Sequence, residues 1–352
     1  LRRPPTTNPA AYDLYLRARV QNDRPSARLA GLDSSIELAT RAISLDSSFA
    51  SAWALRASAL SSSVFLFGAD TAWLTRAQAD IGRALALDST NASAWQALGE
   101  LKWNAAEGWD FKEALVDTRR ALTLQPSLMA AHSALASLYF HYGFSALAQR
   151  EFAISLSLDP RDACGNEARC AGFSRPRIAR VLAFRQQFDS ALAVYRSIPF
   201  VGGFNWEYAV VLSDVGKPAE GLALLDSTRR RGVPEGADRS AARALMYAAL
   251  GRPQEARAEI DTAAASPVGR SHFHHAQFTI ASAYARLGDK AKAVDWLERT
   301  ADNGMPDYPL FLSDPNMRVL QGDPAYERLM TRLKQQFAGY AELVRGDGSP
   351  TV

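Results

Sequence analysis

Residues Ser127–Pro160, SLMAAHSALASLYFHYGFSALAQREFAISLSLDP, decide how the rest of this chain is read. Leu128, Leu135, Leu138 and Tyr139 recur at helical spacing, Gly143 interrupts, and Leu147, Ala148, Phe152, Leu156 and Leu158 resume the period. The spacing predicts two short amphipathic helices joined by a turn, with the small residues Ala136 and Ala148 where the two must approach closely. Leu158-Asp159-Pro160 closes the stretch as a helix stop followed by a turn residue. A hairpin of this size cannot bury both of its apolar faces alone. It needs a similar unit on each side, and the chain supplies them.

Toward the N-terminus the same unit recurs with extra residues. Asn8 and Pro9 read as the cap and first position of an opening helix, whose partner spans about 32–45. A second pair, 50–88, carries Trp53, Ala57, Ala77, Ile81 and Ala84, with extra residues around Phe65-Leu66-Phe67-Gly68. A third, 92–126, carries Trp95, Leu98, Gly99, Ala114, Ala121 and Pro126, with an insertion near Glu107-Gly108-Trp109. The leucines that end these units, Leu45, Leu87, Leu124 and Leu158, lie 42, 37 and 34 residues apart, so the array becomes regular toward its middle. Toward the C-terminus, four further pairs follow a cysteine-bearing insertion at 161–171. In two of them Gly216-Lys217-Pro218 and Gly251-Arg252-Pro253 repeat one device, a left-handed glycine and then a proline that opens the next helix.

The pattern Ala136, Tyr139, Gly143, Ala148, Phe152, Ser155 and Pro160 resembles the tetratricopeptide repeat (TPR). The resemblance implies an all-α, right-handed α-solenoid of about eight hairpins over 10–301, with insertions near 62–70, 105–110 and 161–171. Residues 1–9 read as a linker remnant. Residues 302–344 read as an irregular segment and a capping helix that starts at Asp323-Pro324, and 345–352 as a tail. The two ends carry a second resemblance. Asn8-Pro9 through Leu16, and Trp296-Leu297-Glu298 through Asp323-Pro324 and Tyr326, look like the C-terminal TPR regions of bacterial multidomain signalling proteins. There the repeats follow a serine/threonine kinase, a nucleotide cyclase or a winged-helix DNA-binding domain, often with a TolB-like domain between. A chain that opens on Leu1 fits a processed or partial product.

Charge and composition narrow the function. The net charge is +3 with interspersed charges, and Arg229-Arg230-Arg231 alone forms a basic run, so nucleic acid is not an expected partner. No apolar run approaches the roughly 20 residues that span a bilayer, so no membrane insertion is expected. Phosphate-binding glycine loops, zinc-protease motifs and nucleophile elbows do not occur in the sequence. The repeat pattern leaves little chain for a catalytic domain, so the sequence reads as a scaffold and not an enzyme, with no cofactor.

Cys164 and Cys170 share one short polar segment. They read either as two thiols, which fits the cytoplasm, or as a disulfide closing a surface loop, which requires an exported protein. The thiol reading is slightly favoured. Asn91-Ala92-Ser93 matches a glycosylation sequon, but Asn suits the turn between repeats equally well. His272-Phe273-His274-His275 is the one histidine cluster in the sequence. Ligands at that spacing do not share one helix face, and no cysteine or paired carboxylate adjoins. The run therefore reads as a polar start to the eighth pair, with no metal assigned, and His132 and His141 as ordinary repeat positions.

In the TPR fold four positions of each first helix line a concave groove. Here they fall on Ser51, Ala54, Ser58 and Ser61, on Ser93, Gln96, Glu100 and Trp103, on Ala130, Ser133, Ser137 and Phe140, on Phe173, Pro176, Arg180 and Ala183, on Gly203, Trp206, Val210 and Ser213, and on His275, Phe278, Ser282 and Ala285. The lining lacks the Lys/Asn/Arg set with which chaperone-binding TPR proteins hold a terminal carboxylate. Trp103, Phe140, Trp206 and Phe278 read in two ways: they anchor an apolar or aromatic segment, with Glu100 and Arg180 orienting it, or some of them fill the superhelix because the insertions displace them. The expected partner is a peptide or protein. The alternative is a structural protein that assembles end to end.

Overall fold

A computed structural model of the chain describes residues 5–22, 28–158, 174–198, 205–233, 235–266 and 272–346. Every regular element among them is helical. The helices come in consecutive pairs: α1 (Pro9–Asn22) with α2 (Arg28–Leu45), α3 (Ala50–Phe67) with α4 (Ala72–Leu87), and α5 (Ala92–Lys102) with α6 (Phe111–Leu124). Then come α7 (Met129–His141), α8 (Ser145–Leu158), α9 (Ser174–Phe184), α10 (Phe188–Ser197), α11 (Asn205–Asp214) and α12 (Pro218–Arg230). The last pairs are α13 (Ala237–Ala249) with α14 (Pro253–Ala265) and α15 (His274–Arg286) with α16 (Lys290–Asp302). A short α17 (Tyr308–Ser313), a 3-10 turn (Pro315–Leu320) and the long α18 (Pro324–Arg345) complete the chain. First helices stack on first helices, α3 on α5, α11 on α13 and α13 on α15, which is the contact pattern of an α-solenoid. Two compact units result, Leu1–Leu135 and Ala136–Val352, with the division inside α7.

Local chemistry explains each joint in the first unit. Asn8 caps α1, its Oδ1 accepting from the amides of Ala10 at 3.0 Å and Ala11 at 3.1 Å. Asp46 and Asp88 shape the turns between hairpins: each Oδ1 accepts from the backbone amide two residues on, at 2.9 Å in both cases. Trp53 and Trp95 each reach back six residues, their indole N–H donating to the Ser47 and Ser89 carbonyls. His132 stands at the same repeat position and bonds the Pro126 carbonyl at 2.9 Å, so one anchor is built from two residue types. Within the second hairpin, Arg56 of α3 grips Asp80 of α4 with two bonds of 2.7 Å, both side chains buried, lies over the Trp53 ring at 4.8 Å, and reaches Thr40 Oγ1 of the first hairpin at 3.2 Å. Small residues set helix spacing. A Cβ on Gly99 would stand 2.5 Å from Thr118 Oγ1 and 3.0 Å from the Ala114 carbonyl oxygen.

In the second unit the hairpin turns share a closing bond. Phe144, Gln187, Lys217, Arg252 and Asp289 each donate a backbone N–H to the carbonyl five residues earlier, at 2.8–3.0 Å. The residue before each donor is left-handed. Gly143, Gly216, Gly251 and Gly288 fill four of these places, and Gln186, with φ 60°, fills the fifth. Ala148 and Phe152 are fully buried, as their spacing predicts. The main core of this unit joins α12, α13 and α15 to α17 and α18 through Leu225, Leu245, Ile280, Phe311 and Leu333.

Several boundaries differ from those predicted. α2 starts at Arg28, earlier than expected, and Gly31 in its first turn allows close approach to α1: a Cβ there would meet the Gln21 carbonyl oxygen at 2.8 Å. Phe65, Leu66 and Phe67 extend α3 to 18 residues and precede a left-handed cap at Gly68. The stretch 302–315 holds the helix α17, capped by Asp307, whose Oδ1 accepts from the Leu310 amide at 2.9 Å. α18 is capped by Asp323 as predicted. It does more than cover the eighth pair. Phe337 stacks on Phe144 at 5.0 Å and Tyr340 meets Tyr142 edge-on at 4.8 Å, so α18 also reaches the turn after α7. Gly143 sits under that contact, where a Cβ would lie 2.6 Å from Pro309 Cδ. Cys164 and Cys170 lie outside the described residues, and so does the insertion that holds them.

Candidate functional site

The inner positions of the first helices form two different linings. In α3 and α5, Ser51, Ser58, Ser93 and Glu100 remain half-buried. Ser58 Oγ donates to Glu100 Oε2 at 3.2 Å, and Asn91 Nδ2 donates to Ser51 Oγ at 3.1 Å. Asn91 also caps α5, accepting from the Ala94 amide at 3.0 Å, and its side chain is buried between these two roles. Trp103 closes α5. It is buried against Phe65 and Trp109, with ring centroids 5.5 Å away in each case.

In the second unit the same positions carry large side chains, and these meet. Phe140 packs on Phe184 at 4.6 Å, Phe184 approaches Phe278 at 6.3 Å, and Phe278 stacks on Phe311 at 5.5 Å. Arg180 from α9 lies over Trp206 at 4.9 Å and over Phe140 at 5.6 Å. Its charge is matched by an ion pair with Glu207 of α11, which also accepts from the Tyr195 hydroxyl at 3.2 Å. Burial draws the Arg180 pKa down to about 10, which leaves it a cation at neutral pH, and pushes the Tyr195 hydroxyl up. Phe140, Trp206 and Phe278 are 3%, 9% and 8% exposed, so the open aromatic wall that one reading of the sequence gives is not how they are placed. They fill the interior because each is large enough to span to the next first helix. A cavity of about 50 Å³ remains between Arg180, Phe188, Trp206, Val210, Phe278 and Leu310. That is room for about one side-chain fragment and too little for a peptide.

Four histidines adjoin this lining. His272 precedes α15, His274 and His275 open it, and His141 ends α7. All six pairs of their ring centroids lie between 4.5 and 5.6 Å apart. His141 Nδ1 faces the Ser137 carbonyl at 2.6 Å, and His274 Nδ1 faces the Asn303 carbonyl at 2.7 Å. His275 Nε2 receives Arg180 Nη1 at 2.9 Å and lies 3.1 Å from His141 Nε2. Burial is the main force that depresses all four imidazoles, His274 to about 3, and keeps them neutral nitrogen donors. The run 272–275 stands out in the sequence. His141, more than a hundred residues earlier, carries no local sign of joining it.

No protein-family model matches the sequence, and no curated protein does. Among solved structures the chain is similar to a tetratricopeptide repeat protein from Parabacteroides merdae, at 14% identity, over 76% of this chain and 98% of that one, with a TM-score of 0.49. It is similar to yeast Tom70 at 16% identity, over 92% and 68% of the two chains, with a TM-score of 0.47. It is also similar to YrrB, described as a TPR protein with an unusual peptide-binding site, at 21% identity, over 65% and 91%, with a TM-score of 0.33.

Proposed function

We propose that this chain is a protein-interaction scaffold that binds an extended peptide or protein segment on the inner face of α3 and α5. The observation that carries the reading is the half-buried row Ser51, Ser58, Ser93 and Glu100. These side chains are small or polar and lie outside the apolar cores of their hairpins, and they let a backbone approach closely. Glu100 is the acidic member of the row and is already bonded by Ser58, and Trp103 borders the site; a basic residue in the partner is the expectation that the selection below tests. Helical repeats present such rows as extended binding faces. The motifs at the two ends of the chain support placing this scaffold within a larger bacterial signalling protein.

The test is a displayed-peptide selection against the whole chain, followed by affinity measurement on the selected peptides. Enriched peptides should contain Lys or Arg and should lose binding to Glu100→Lys and to Ser58→Tyr, with the helical signal of both variants unchanged. Selected peptides that bind both variants as well as the original chain would place the binding face elsewhere.

A second reading, end-to-end self-association, is supported by one observation. Tyr12, Leu16 and Val20 form a stripe on α1 and are 37%, 39% and 55% exposed. A contact between this stripe and the far end of another copy is heterologous and need not close. Light scattering should then show concentration-dependent growth that Leu16→Lys with Val20→Lys removes. Monodisperse monomer at every concentration excludes it.

A further inference from the structure

We propose that His141, His272, His274 and His275 form a structural binding site for one divalent late first-row cation, with zinc as the physiological occupant. The chain has five histidines, and four of them meet at this one point. One candidate ligand atom from each lies within 4.8 Å of all the others. A tetrahedral ion with metal–nitrogen bonds of about 2.0–2.1 Å sets its ligand nitrogens about 3.4 Å apart and the imidazole centres roughly 5 Å apart. The ring centroids here, at 4.5–5.6 Å, already bracket that spacing. Ligand atoms now up to 4.8 Å apart close to that spacing by rotation about the side-chain torsions.

The hydrogen bonds select the tautomers a metal needs. A carbonyl oxygen only accepts, so His141 and His274 both carry their proton on Nδ1 and turn Nε2 toward the cluster. A ring N–H held by a carbonyl is the outer-shell arrangement of metal-bound histidine. Arginine only donates, so His275 Nε2 also presents a lone pair. His141 Nε2 and His275 Nε2 therefore stand 3.1 Å apart with no proton between them, the single His275 lone pair being held by Arg180. A proton serves two nitrogens, whereas four converge here, and a metal ion serves them all. When it binds, the ion takes over the His275 lone pair from Arg180, which keeps its ion pair with Glu207.

The donor set fixes the class of ion. Four neutral nitrogens suit zinc, and also cobalt, nickel or copper as probes, and do not suit magnesium or calcium, which require oxygen ligands. Because the protein fills all four positions, the site is structural and leaves no place for a substrate. Its effect is to tie the end of α7 to the start of α15, at the two ends of the helical run that Phe140, Arg180, Trp206 and Phe278 fill.

The experiment uses the untagged 352-residue chain, treated with chelator and then titrated with cobalt. The expected result is one equivalent per chain, with visible ligand-field bands of tetrahedral nitrogen coordination, displaced by one equivalent of zinc. His141→Ala should weaken zinc by at least the roughly 10–100-fold that loss of an outer-shell partner costs. His132→Ala, whose ring is held at Pro126, should leave affinity and stoichiometry unchanged. X-ray absorption on the zinc-loaded original chain needs no variant, and should give four nitrogens at about 2.0 Å. Failure of the original chain to bind cobalt or zinc at micromolar concentration overturns the proposal. So does a metal shell with fewer than three imidazoles, or a folded His141→Ala that binds zinc as tightly as the original.

Discussion

The inner faces of α3 and α5 in the first unit and of α9, α11 and α15 in the second occupy the same repeat positions, and they part company where the first carries serine or glutamate. In the first, Ser51, Ser58, Ser93 and Glu100 stay half-buried while Ala54, Ser61, Gln96 and Trp103 of the same faces are buried, and cohesion comes largely from elsewhere, from the buried Arg56–Asp80 pair and the back-reaching Trp53 and Trp95. In the second, Arg180, Trp206, His275 and Phe278 turn the same face into a core. The difference teaches that a repeat position prescribes direction, not exposure. Whether an inward-pointing residue lines a groove or fills it depends on its size and on what the neighbouring first helices place opposite. A small polar residue leaves space, and an aromatic one reaches across and removes it.

Truncation tests this contrast most directly. Trp206→Ala should cost about 3–5 kcal/mol, because it opens a cavity in the second unit and strips Arg180 of a ring. Chemical denaturation checks it, and a variant as stable as the original would return Trp206 to an open groove. In the first unit the equivalent change, Ser58→Ala, should stay within about 0.5 kcal/mol.

Between these extremes lies a pH effect confined to the second unit. Burial raises the Asp307 carboxyl from its ordinary 3.8 to about 7, against a smaller opposing effect of its bond from Leu310. The folded state therefore holds this proton where the unfolded chain has released it. Stability should fall as pH rises from about 4 to about 7 and level off above. Asp307→Asn keeps the capping oxygen and should flatten that slope, which melting temperatures across the range will show. Parallel profiles would mean that Asp307 is ionised throughout.

The smallest effect concerns the turns. Gln186 alone among the five closing residues of the second unit is not glycine and has φ 60°. Gln186→Gly should raise stability by up to about 1 kcal/mol, since it removes the Cβ from a left-handed position. Loss of stability instead would show that the glutamine side chain contributes more than its backbone costs.

Much of the fold is legible in particular residues. The capping Asn8 and Asp323, the glycines at 143, 216, 251 and 288, and the buried Ala148 and Phe152 all declare themselves by type and spacing. These depend on contacts within one hairpin, where sequence distance and spatial distance agree. Gln186 escapes such reading because its left-handed turn, closed by the Gln187 amide on the Leu182 carbonyl, has no glycine to mark it. His132 escapes because it does the work of a tryptophan with a different ring.

The candidate sites divide along the same line. By itself the sequence determined which residues point inward, since helical periodicity and hairpin register are local. It also displayed three of the four clustered histidines, as one run from His272 to His275. Only the tertiary structure decided that Phe140, Trp206 and Phe278 are buried and that His141 completes the cluster. The physical reason is accumulation. In repeat solenoids each unit is rotated slightly on its neighbour, and a contact between helices several units apart, such as α7 and α15, depends on the sum of such steps. α18 adds to this by placing Phe337 and Tyr340 on the turn after α7. No residue in any single repeat encodes that sum, so a reading by repeats ends where the helical run begins to meet itself.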